Sequence, residues 1–491
     1  MTQPRSSHFF WLLYVVLVSA LGGFLFGFDS GVISGCEQGI QAEYHLSSFA
    51  HGFTVSIALI GTIIGAFCVG RPSDWLGRKI SLMILGVLFL ISAAGCAFTP
   101  TSWPTVNLCG YPIDLNWLTL VIMRGIGGLA IGGASVVVPL YIVEIAPGSV
   151  RGRLVALNQF NIVLGILVSY ITNYFAAMAI DHQTVIWSGC LKIVGWFTTN
   201  PLAAESIKWR LMLGVECIPA ILFILLLFSI PESPRWLVRA GRKTEALRIL
   251  TSVGDKNAQT TVNQIVETLQ NTKNGVNIPL FQKKYLWPIF LAWAVAMFNQ
   301  LSGINAINYY APRIFEQFMG SHSALAATIG LGCVNLIFTS LAFLFIDRYG
   351  RRALLMFGAL GTTAMHFLAA WQISLADKAN PIIAICAILG FIAFFAVSQG
   401  AVIWVFISEI FPNAVRAKGQ ALGSFTHWVM CTIISWAFPV IAGLSPSSGS
   451  YAFGFFGCMT LLQFFFAWKL MPETKGGTIE SLEKEIMKRS A

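Results

Sequence analysis

Two stretches of the chain repeat one another, one in each half: Asp74-Trp75-Leu76-Gly77-Arg78-Lys79 and Asp347-Arg348-Tyr349-Gly350-Arg351-Arg352. Two further motif pairs follow them in the same order. These pairs are Glu144-Ile145-Ala146-Pro147 with Glu409-Ile410-Phe411-Pro412, and Pro231-Glu232-Ser233-Pro234 with Pro472-Glu473-Thr474-Lys475. Three pairs in one order indicate that the second half of the chain duplicates the first.

The composition is that of a membrane protein. Of 491 residues, 56% are hydrophobic and only 11% are charged, whereas soluble proteins carry about 25% charged residues. The mean hydropathy of +0.73 agrees. Disorder, a collagen-like chain and a disulfide scaffold are excluded. The net charge of +10 lies on loops that flank apolar blocks, so it favours contact with anionic lipid over nucleic acid.

The apolar residues form twelve blocks, each close to the roughly 20 residues that cross a bilayer. Backbone groups must be satisfied internally in hydrocarbon, so the blocks are predicted to be helices. The first block contains Asp29 and has no cleavage site after it, which indicates a retained helix. The blocks lie at 9–34, 51–70, 80–98, 116–143, 154–178, 209–230, 285–311, 322–346, 353–375, 380–408, 419–443 and 450–470.

The motifs follow blocks two, four and six of each half, which predicts an all-α protein with two pseudo-symmetric six-helix bundles. Such a duplication is typical of alternating-access carriers, whose binding site lies between the halves near the membrane midplane. We expect an N-terminal bundle over 1–230, a helical cytoplasmic linker over 231–284, a C-terminal bundle over 285–471 and a tail over 472–491. One chain supplies both halves, so a monomer is expected to function.

The positive charges predict the orientation. Most of the 31 Lys and Arg residues fall on the side of the 231–284 loop, and such residues remain cytoplasmic. Both termini are therefore expected in the cytoplasm of a multi-pass protein of the cell membrane.

The motif charges lie at helix ends on that side, where ion pairs between the bundles can close an inner gate. Anchoring of the topology by Arg and Lys alone is the alternative. The predicted gate comprises Asp74, Arg78, Glu144, Arg151, Glu232, Arg235, Asp347, Arg351, Glu409 and Arg416.

No catalytic or metal-ligand spacing is present among the histidines and cysteines, so neither an enzyme nor a cofactor is predicted. Most of the ten cysteines stand singly in apolar blocks, as small hydrophobic residues do. Cys109 and Cys190 fall in external loops, where they either pair or remain free.

Five motifs resemble the sugar porter family of the major facilitator superfamily. They are the Gly-Arg-Lys and Gly-Arg-Arg motifs, the stretch from Pro231 to Arg235, Gln300-Leu301-Ser302-Gly303-Ile304-Asn305, and Pro472-Glu473-Thr474-Lys475-Gly476. The resemblance covers about 20–485 and is nearest to bacterial proton-coupled xylose and glucose symporters. It implies transport of a monosaccharide.

Ionisable residues inside the apolar blocks point to proton coupling. Asp29, Arg124 and Glu216 lie in blocks one, four and six, where a charge costs at least about 2.5–3.5 kcal/mol and needs a partner. We expect Asp29 to carry the proton, Arg124 to pair with it and Glu216 to tune the arginine. The resemblance agrees, since proton symporters have an acid at the position of Asp29. The alternative is a structural pair in a passive uniporter.

The sugar site is expected to combine amides with aromatic rings, since hydroxyls need hydrogen-bond partners and the sugar's C–H face packs on rings. Asn305 and Tyr309 share a helix face, and Gly303 can interrupt the helix so that Gln300 joins them. The resemblance implies sugar contacts by Gln159, Gln300, Asn305 and Asn335, with Trp404 and Trp428 as platforms and Phe26, Tyr309 and Phe395 as lining. Bonds between helices are the alternative for the amides, and packing for the rings.

Departures from the family concern the sugar. Asn299 precedes Gln300 where many relatives have a second glutamine, and His427 stands where an amide is common. Block ten has no proline, so we expect it to flex through Gly390 and Gly400. Ile166 is apolar where xylose symporters carry an amide, which favours D-glucose or another hexose over D-xylose. The prediction is a proton/monosaccharide symporter, ahead of a facilitative uniporter and a non-transporting sugar sensor.

Overall fold

The computed structural model describes residues 5–108, 111–148, 150–181, 204–274, 279–412, 415–445 and 448–475. Within these ranges, twelve helical segments are long and apolar enough to cross a membrane, which confirms the predicted blocks and the all-α class. They are numbered spans 1 to 12 in chain order: His8–Glu43, Ser48–Cys68, Arg78–Ala97, Leu115–Ile145, Arg151–Asp181, Glu205–Leu227, Lys283–Tyr309, Ser321–Ile346, Arg351–Ser374, Pro381–Glu409, Arg416–Ala442 and Ser448–Lys469.

The helices of the first half include short ones between the spans. Their bounds are α1 Arg5–Glu43, α2 Ser48–Cys68, α3 Gly70–Leu76, α4 Arg78–Ala97, α5 Leu115–Ile145, α6 Arg151–Asp181, α7 Ala204–Gly214, α8 Cys217–Leu227, α9 Pro234–Arg239, α10 Lys243–Ser252 and α11 Ala258–Asn274.

The second half continues with α12 Leu286–Leu301, α13 Ile304–Tyr309, α14 Ala311–Glu316, α15 Ser321–Tyr349, α16 Arg351–Ser374, α17 Pro381–Val397, α18 Gln399–Glu409, α19 Arg416–Ala442 and α20 Ser448–Lys469. Single 3₁₀ turns stand at Lys283–Tyr285 and Ala376–Lys378.

A small hairpin between spans 3 and 4 adds β structure that the sequence analysis did not predict. Strand β1, Thr105–Leu108, pairs antiparallel with β2, Tyr111–Asp114. Asp114 then caps α5, because its side chain accepts from the backbone N–H of Asn116 at 2.8 Å. Cys109 and Cys190 lie outside the described residues, and the eight described cysteines are free thiols.

Three spans are interrupted in mid-course. Span 6 breaks between α7 and α8, at Glu216. Span 7 breaks between α12 and α13, where Gly303 has a φ of 78° in the left-handed region that favours glycine. This break confirms the interruption predicted at Gly303.

Span 10 is interrupted at Ser398, which lies between the two glycines through which it was expected to flex, and the flexing itself stays a prediction. Gly390 lies inside α17 and Gly400 in the first turn of α18. Ser398 has a φ of −122° and a ψ of −84°, which are not helical, and its hydroxyl donates to the carbonyl of Phe394 at 2.6 Å.

The chain divides into two compact units. The first comprises Met1–Val32, Ile60–Thr172 and Gln183–Asn277, and the second comprises Ile33–Leu59, Asn173–His182 and Ile278–Ala491. The predicted domain boundaries remain a prediction. The two units differ from them, because Ile33–Leu59 and Asn173–His182, at the ends of first-half spans, belong to the second unit.

Each unit has its own apolar core. The core of the first unit includes helices of the loop after span 6, where Leu237, Ile249 and Val262 are buried. These helices, α9 to α11, lie in the stretch 231–284, which was predicted to be helical. In the second unit, spans 7, 10 and 12 contribute Leu291, Phe406 and Phe466 to the core.

Candidate proton-coupling and sugar-binding sites

Asp29 and Arg124 form a buried ion pair in the first unit. Asp29 lies on α1 and Arg124 on α5, and their exposed fractions are 1% and 2%. Nη1 of the arginine donates to Oδ1 of the aspartate. Because a lone charge at this depth is very unfavourable, each side chain needs the other. The predicted partnership between these two residues is present, while its role in proton coupling stays a prediction.

Glu216 faces this pair from the break in span 6. Glu216 is 2% exposed, and its carboxylate interacts electrostatically with both Asp29 and Arg124. Among the described residues, Oε1 of Glu216 and Oδ2 of Asp29 have no hydrogen-bond partner. Two carboxylates beside one guanidinium leave one negative charge uncompensated when both are ionised. A single proton on the group removes that charge.

The walls of this site come from α4, which the sequence analysis did not assign to it, and from α5, which also carries Arg124. Cys96 on α4 interacts with Arg124 and accepts a hydrogen-bond contact from Ser92. On α5, a methyl group at Gly127 would lie 2.9 Å from Oδ2 of Asp29. Because Gly127 has no side chain, the backbone of α5 lies close against the aspartate.

The second unit contains a chain of amides around the break in span 7. Nδ2 of Asn305 donates to Oε1 of Gln300 at 2.7 Å. Nε2 of Gln300 donates to Oδ1 of Asn299 at 3.0 Å and lies 3.2 Å from Nε2 of His427. Because side chains five residues apart on a continuous helix diverge by about 140°, the first of these bonds depends on the break at Gly303.

Aromatic rings flank this amide chain. The ring of His427 lies 4.9 Å from that of Trp404 and 5.1 Å from that of Trp428, measured between centroids. Trp404 is 38% exposed, whereas Trp428 is 8% exposed. Polar amides beside indole faces are the combination that binds a sugar, since they match its hydroxyls and its C–H face.

The remaining predicted sugar residues have other contacts. Oδ1 of Asn335 accepts from the hydroxyl of Thr339 at 3.2 Å. Tyr309 is buried and bonds to the thiol of Cys431. Phe395 is buried beside the break in span 10, near Gly400. Gln159 on α6 and Phe26 on α1 are half-buried residues of the first unit, and their contacts with sugar stay predictions.

The repeated motifs fold into matching contact networks, one in each unit. In the first, the backbone N–H of Arg78 donates to Oε1 of Glu232 at 2.9 Å, and Nη2 of Arg78 donates to Oε1 of Glu144 at 3.0 Å. In the second, the N–H of Arg351 donates to Oε1 of Glu473 at 2.9 Å. Its Nη2 donates to Glu409 at 2.9 Å.

Further details of the two networks also correspond. Gly77 and Gly350 precede the arginines with φ of 98° and 89°, in the range open to glycine. The hydroxyl of Ser233 donates to Glu144, and that of Thr474 donates to Glu409 at 2.6 Å. The duplication read from the sequence is therefore confirmed at the level of individual atoms. Glu473 acts as the counterpart of Glu232, as the pairing of their motifs predicts, although the predicted gate did not include Glu473.

Other predicted gate residues lie around these networks. Asp74 pairs with Arg78 at 3.0 Å and with Arg239 at 3.1 Å, a partner that was not predicted. The side chains of Arg151 and Arg416 donate to the carbonyls of Ala146 and Phe411, respectively. Arg235 is exposed, and the side chain of Asp347 lies outside the described part of the structure. The contacts here are within each unit, and a gate between the bundles stays a prediction.

Burial raises the pKa of Glu232. Hydrogen bonds from the backbone N–H groups of Ser233, Lys79 and Arg78, together with the Arg78 charge, act in the opposite direction. Burial is the larger effect on the pKa. The hydrogen bonds to this carboxylate therefore offset only part of the free energy lost when its charge is removed from water.

The two networks differ in burial, and this difference predicts different effects of one substitution. The side chains of Arg78 and Glu144 are 7% and 3% exposed, whereas those of Arg351 and Glu409 are 12% and 25% exposed. Glu144→Gln removes the buried carboxylate beside Arg78 and leaves only the half-exposed Asp74 as its counter-charge, at a cost of about 3 kcal/mol. Solvent screens the second pair, so Glu409→Gln is expected to cost about 1 kcal/mol or less. Thermal unfolding of both purified variants shows which substitution lowers the melting temperature more. Equal melting temperatures would contradict the prediction that Glu144→Gln is the more destabilising.

Among the described residues, no group of three or more His, Cys, Asp and Glu side chains is arranged to hold a metal ion.

Twelve spans, a duplicated charge network and ionisable groups at membrane depth define a polytopic membrane carrier. The family described as "Sugar (and other) transporter" matches residues 15–486. The chain therefore belongs to the sugar porter family, has the major facilitator fold and is a transporter rather than an enzyme.

Named relatives cover nearly the whole chain. It is 38% identical to the D-xylose-proton symporter of Escherichia coli (strain K12), over 98% of this chain and 96% of that protein. It is 31% identical to a glucose transport protein of Synechocystis sp., over 96% and 97%. A structure of the xylose transporter XylE from E. coli, in a partially occluded inward-open conformation, matches with a TM-score of 0.79 at 36% identity. That match covers 95% of this chain and 99% of the other.

Proposed function

We propose that this protein is a D-xylose–proton symporter that works by alternating access. The observation that carries the proposal is the buried Asp29–Arg124 pair faced by Glu216. A passive carrier has no need of an uncompensated acid at this depth, where each charge is costly. The relative named as a D-xylose-proton symporter supports both the proton and the sugar.

The proton acts through the ion pair. When the site is open outward, a proton binds Asp29 and removes its charge, and Arg124 is then free to turn toward Glu216. This exchange changes which residues of the first unit the arginine holds together. A proton can favour one conformation only by binding it more strongly, so Asp29 must accept the proton more readily in the outward-open state. Inward opening hydrates the site and releases proton and sugar.

The sugar binds to the amide chain of the second unit. Asn299, Gln300, Asn305 and His427 supply donors and acceptors, and Trp404 and Trp428 supply ring faces. Gln159, Asn335, Phe26, Tyr309 and Phe395 complete the predicted contacts.

D-xylose takes the place of D-glucose as the preferred sugar. The sequence analysis ranked a hexose first because Ile166 is apolar, but relatives named as xylose transporters support the pentose. D-glucose is the second candidate, because one relative is named as a glucose transport protein.

The topology belongs to the same proposal. Both termini and the loop after span 6 face the cytoplasm, and the networks around Arg78 and Arg351 lie at the cytoplasmic ends of the spans. The carrier functions as a monomer in the cell membrane, with protons and a monosaccharide as its ligands.

Uptake into proteoliposomes tests the proposal. With an inward proton gradient, wild-type protein is expected to accumulate labelled D-xylose above equilibrium, and unlabelled D-glucose is expected to compete less well than D-xylose. D-galactose and D-fructose complete the panel. Uptake that only equilibrates and ignores the gradient would identify a facilitative uniporter, in which the Asp29–Arg124 pair is structural. A protein that binds but does not transport would be a sensor, and failure to bind any of these sugars would overturn the substrate class.

A further inference from the structure

The break in span 7 leaves backbone groups without helical partners. The last carbonyls of a helix have no N–H of their own to accept from, and in a membrane they must find other donors. Around this break, the carbonyls of Phe298 and Gln300 accept from the N–H groups of Ser302 and Gly303. The carbonyl of Asn299 accepts from the hydroxyl of Ser302 at 2.6 Å. These partners all come from the break itself.

The carbonyl of Ser302 is different, because its partner comes from another span. Nε2 of His366, on α16, lies 2.9 Å from this oxygen. A carbonyl oxygen can only accept, so Nε2 must carry the hydrogen. His366 is 0% exposed, and its Nδ1 has no hydrogen-bond partner among the described residues. The bond to the break is therefore the polar contact that the structure gives this buried imidazole.

Aromatic rings fix the position of this imidazole. Its centroid lies 4.2 Å from that of Phe391 and 5.9 Å from that of Phe456. Phe456 also covers the break, since a side chain at Gly303 would begin 2.8 Å from Cγ of this phenylalanine. The same ring thus contacts both the histidine and the glycine, which leaves little room for either to move.

The geometry of the break decides whether the amides of span 7 meet. Gln300 precedes Gly303 and Asn305 follows it, and their side chains bond at 2.7 Å across the break. A continuous helix would separate them by about 140° around its axis. A change in the backbone at Ser302 is therefore transmitted directly to this amide pair.

We propose that His366 is a positioning residue for sugar binding. Its bond to the Ser302 carbonyl holds the break in span 7 in the geometry that joins Asn305 to Gln300. The residue itself does not contact the sugar. The part of this inference that concerns sugar rests on the proposed function, whereas the part that concerns the break does not.

Three variants of the full-length chain separate positioning from packing. His366→Phe keeps an aromatic ring and removes the donor, and His366→Gln keeps a donor of similar reach. Thr363→Val is the matched control, because Thr363 is a buried residue of the same span whose hydroxyl lies 2.9 Å from that of Thr460 rather than at the break. His366→Phe and Thr363→Val thus both remove buried polar contacts of span 9, and only the first removes one at the break.

Two measurements are made on the purified protein. Hydrogen–deuterium exchange reports the protection of the amides at 304–309, and equilibrium titration reports the affinity for D-xylose. His366→Phe is expected to speed exchange in that segment alone and to weaken D-xylose binding on the order of tenfold, as the loss of a partner for a buried carbonyl implies. His366→Gln is expected to restore most of both, and Thr363→Val to resemble the wild type.

Unchanged exchange at 304–309 in His366→Phe would overturn the inference, as would equal effects of Thr363→Val. Loss of protection in every span would show that the imidazole only stabilises the fold, which also overturns it. If wild-type protein does not bind D-xylose, the proposed substrate fails, while the exchange measurement still decides whether His366 holds the break.

Discussion

Replacement of Asp29 by Asn is expected to abolish accumulation of sugar above equilibrium, while exchange of sugar across the membrane continues. The amide keeps the size of the side chain but cannot take up or release a proton. With one proton per sugar, a pH gradient of about one unit supports at most about tenfold accumulation, since a tenfold ratio corresponds to about 1.4 kcal/mol. In Asp29→Asn the inside-to-outside ratio is expected to fall to about 1. Labelled D-xylose in proteoliposomes measures both quantities.

Glu216→Gln is the matched control for this result. It removes one negative charge from the same buried group and also replaces an acid by its amide, but it leaves Asp29 paired with Arg124. We expect this variant to retain gradient-driven accumulation with an altered pH dependence. If Glu216→Gln abolishes accumulation and Asp29→Asn does not, the assignment of the proton to Asp29 is wrong. If both variants lose exchange as well, the trio serves the fold rather than the coupling.

Replacement of Gln300 by Ala is expected to cause the greatest loss of sugar affinity. Gln300 bonds to Asn305 and Asn299 and lies against His427, so its removal takes away an amide available to the sugar hydroxyls and leaves the half-buried amide of Asn305 without this partner. Each such group costs about 1–3 kcal/mol, and two of them weaken binding by about 100-fold. Titration of D-xylose in detergent measures the affinity directly.

Gln463→Ala provides the control, because Gln463 on α20 is also 1% exposed. Its amide has no hydrogen-bond partner among the described residues, so its loss leaves no sugar ligand unpaired. Affinity within about twofold of the wild type is expected. A similar weakening in Gln300→Ala and Gln463→Ala would show that the amide chain does not form the sugar site.

The features predictable from the sequence were those with a local signal. A membrane span is recognisable from about 20 consecutive apolar residues, and the repeated motifs indicate the duplication. The break at Gly303 was also predictable, because Gln300 and Asn305 could share a site only if the helix stopped between them. In each case, the residues that carry the signal are close in sequence.

Features that depend on distant contacts were not predictable. Glu232 accepts from the N–H of Arg78, although the two residues are 154 positions apart in the sequence. The motif residues do not predict this bond. His366 looked like an isolated histidine in an apolar span, since its partner is a backbone carbonyl 64 positions away. The break of span 10 at Ser398 was not predictable either, because its hydroxyl makes the same bond to a carbonyl one turn earlier that Thr328 and Thr432 make in unbroken helices.

The choice of sugar shows the same limit. Ile166 favoured a hexose because one amide of the xylose symporters is missing, but one position is weak evidence for a site formed by several side chains. Relatives that cover nearly the whole chain outweigh it.

Proton movement caused by sugar is the most direct test of the account. D-xylose is added outside proteoliposomes that contain wild-type protein, with no pH gradient imposed, and the external pH is recorded in a weakly buffered medium. A symporter draws protons inward with the sugar, so the medium is expected to become more alkaline with wild-type protein and to stay unchanged with Asp29→Asn. D-xylose entry without any change of external pH in the wild type would contradict proton coupling and leave a uniporter.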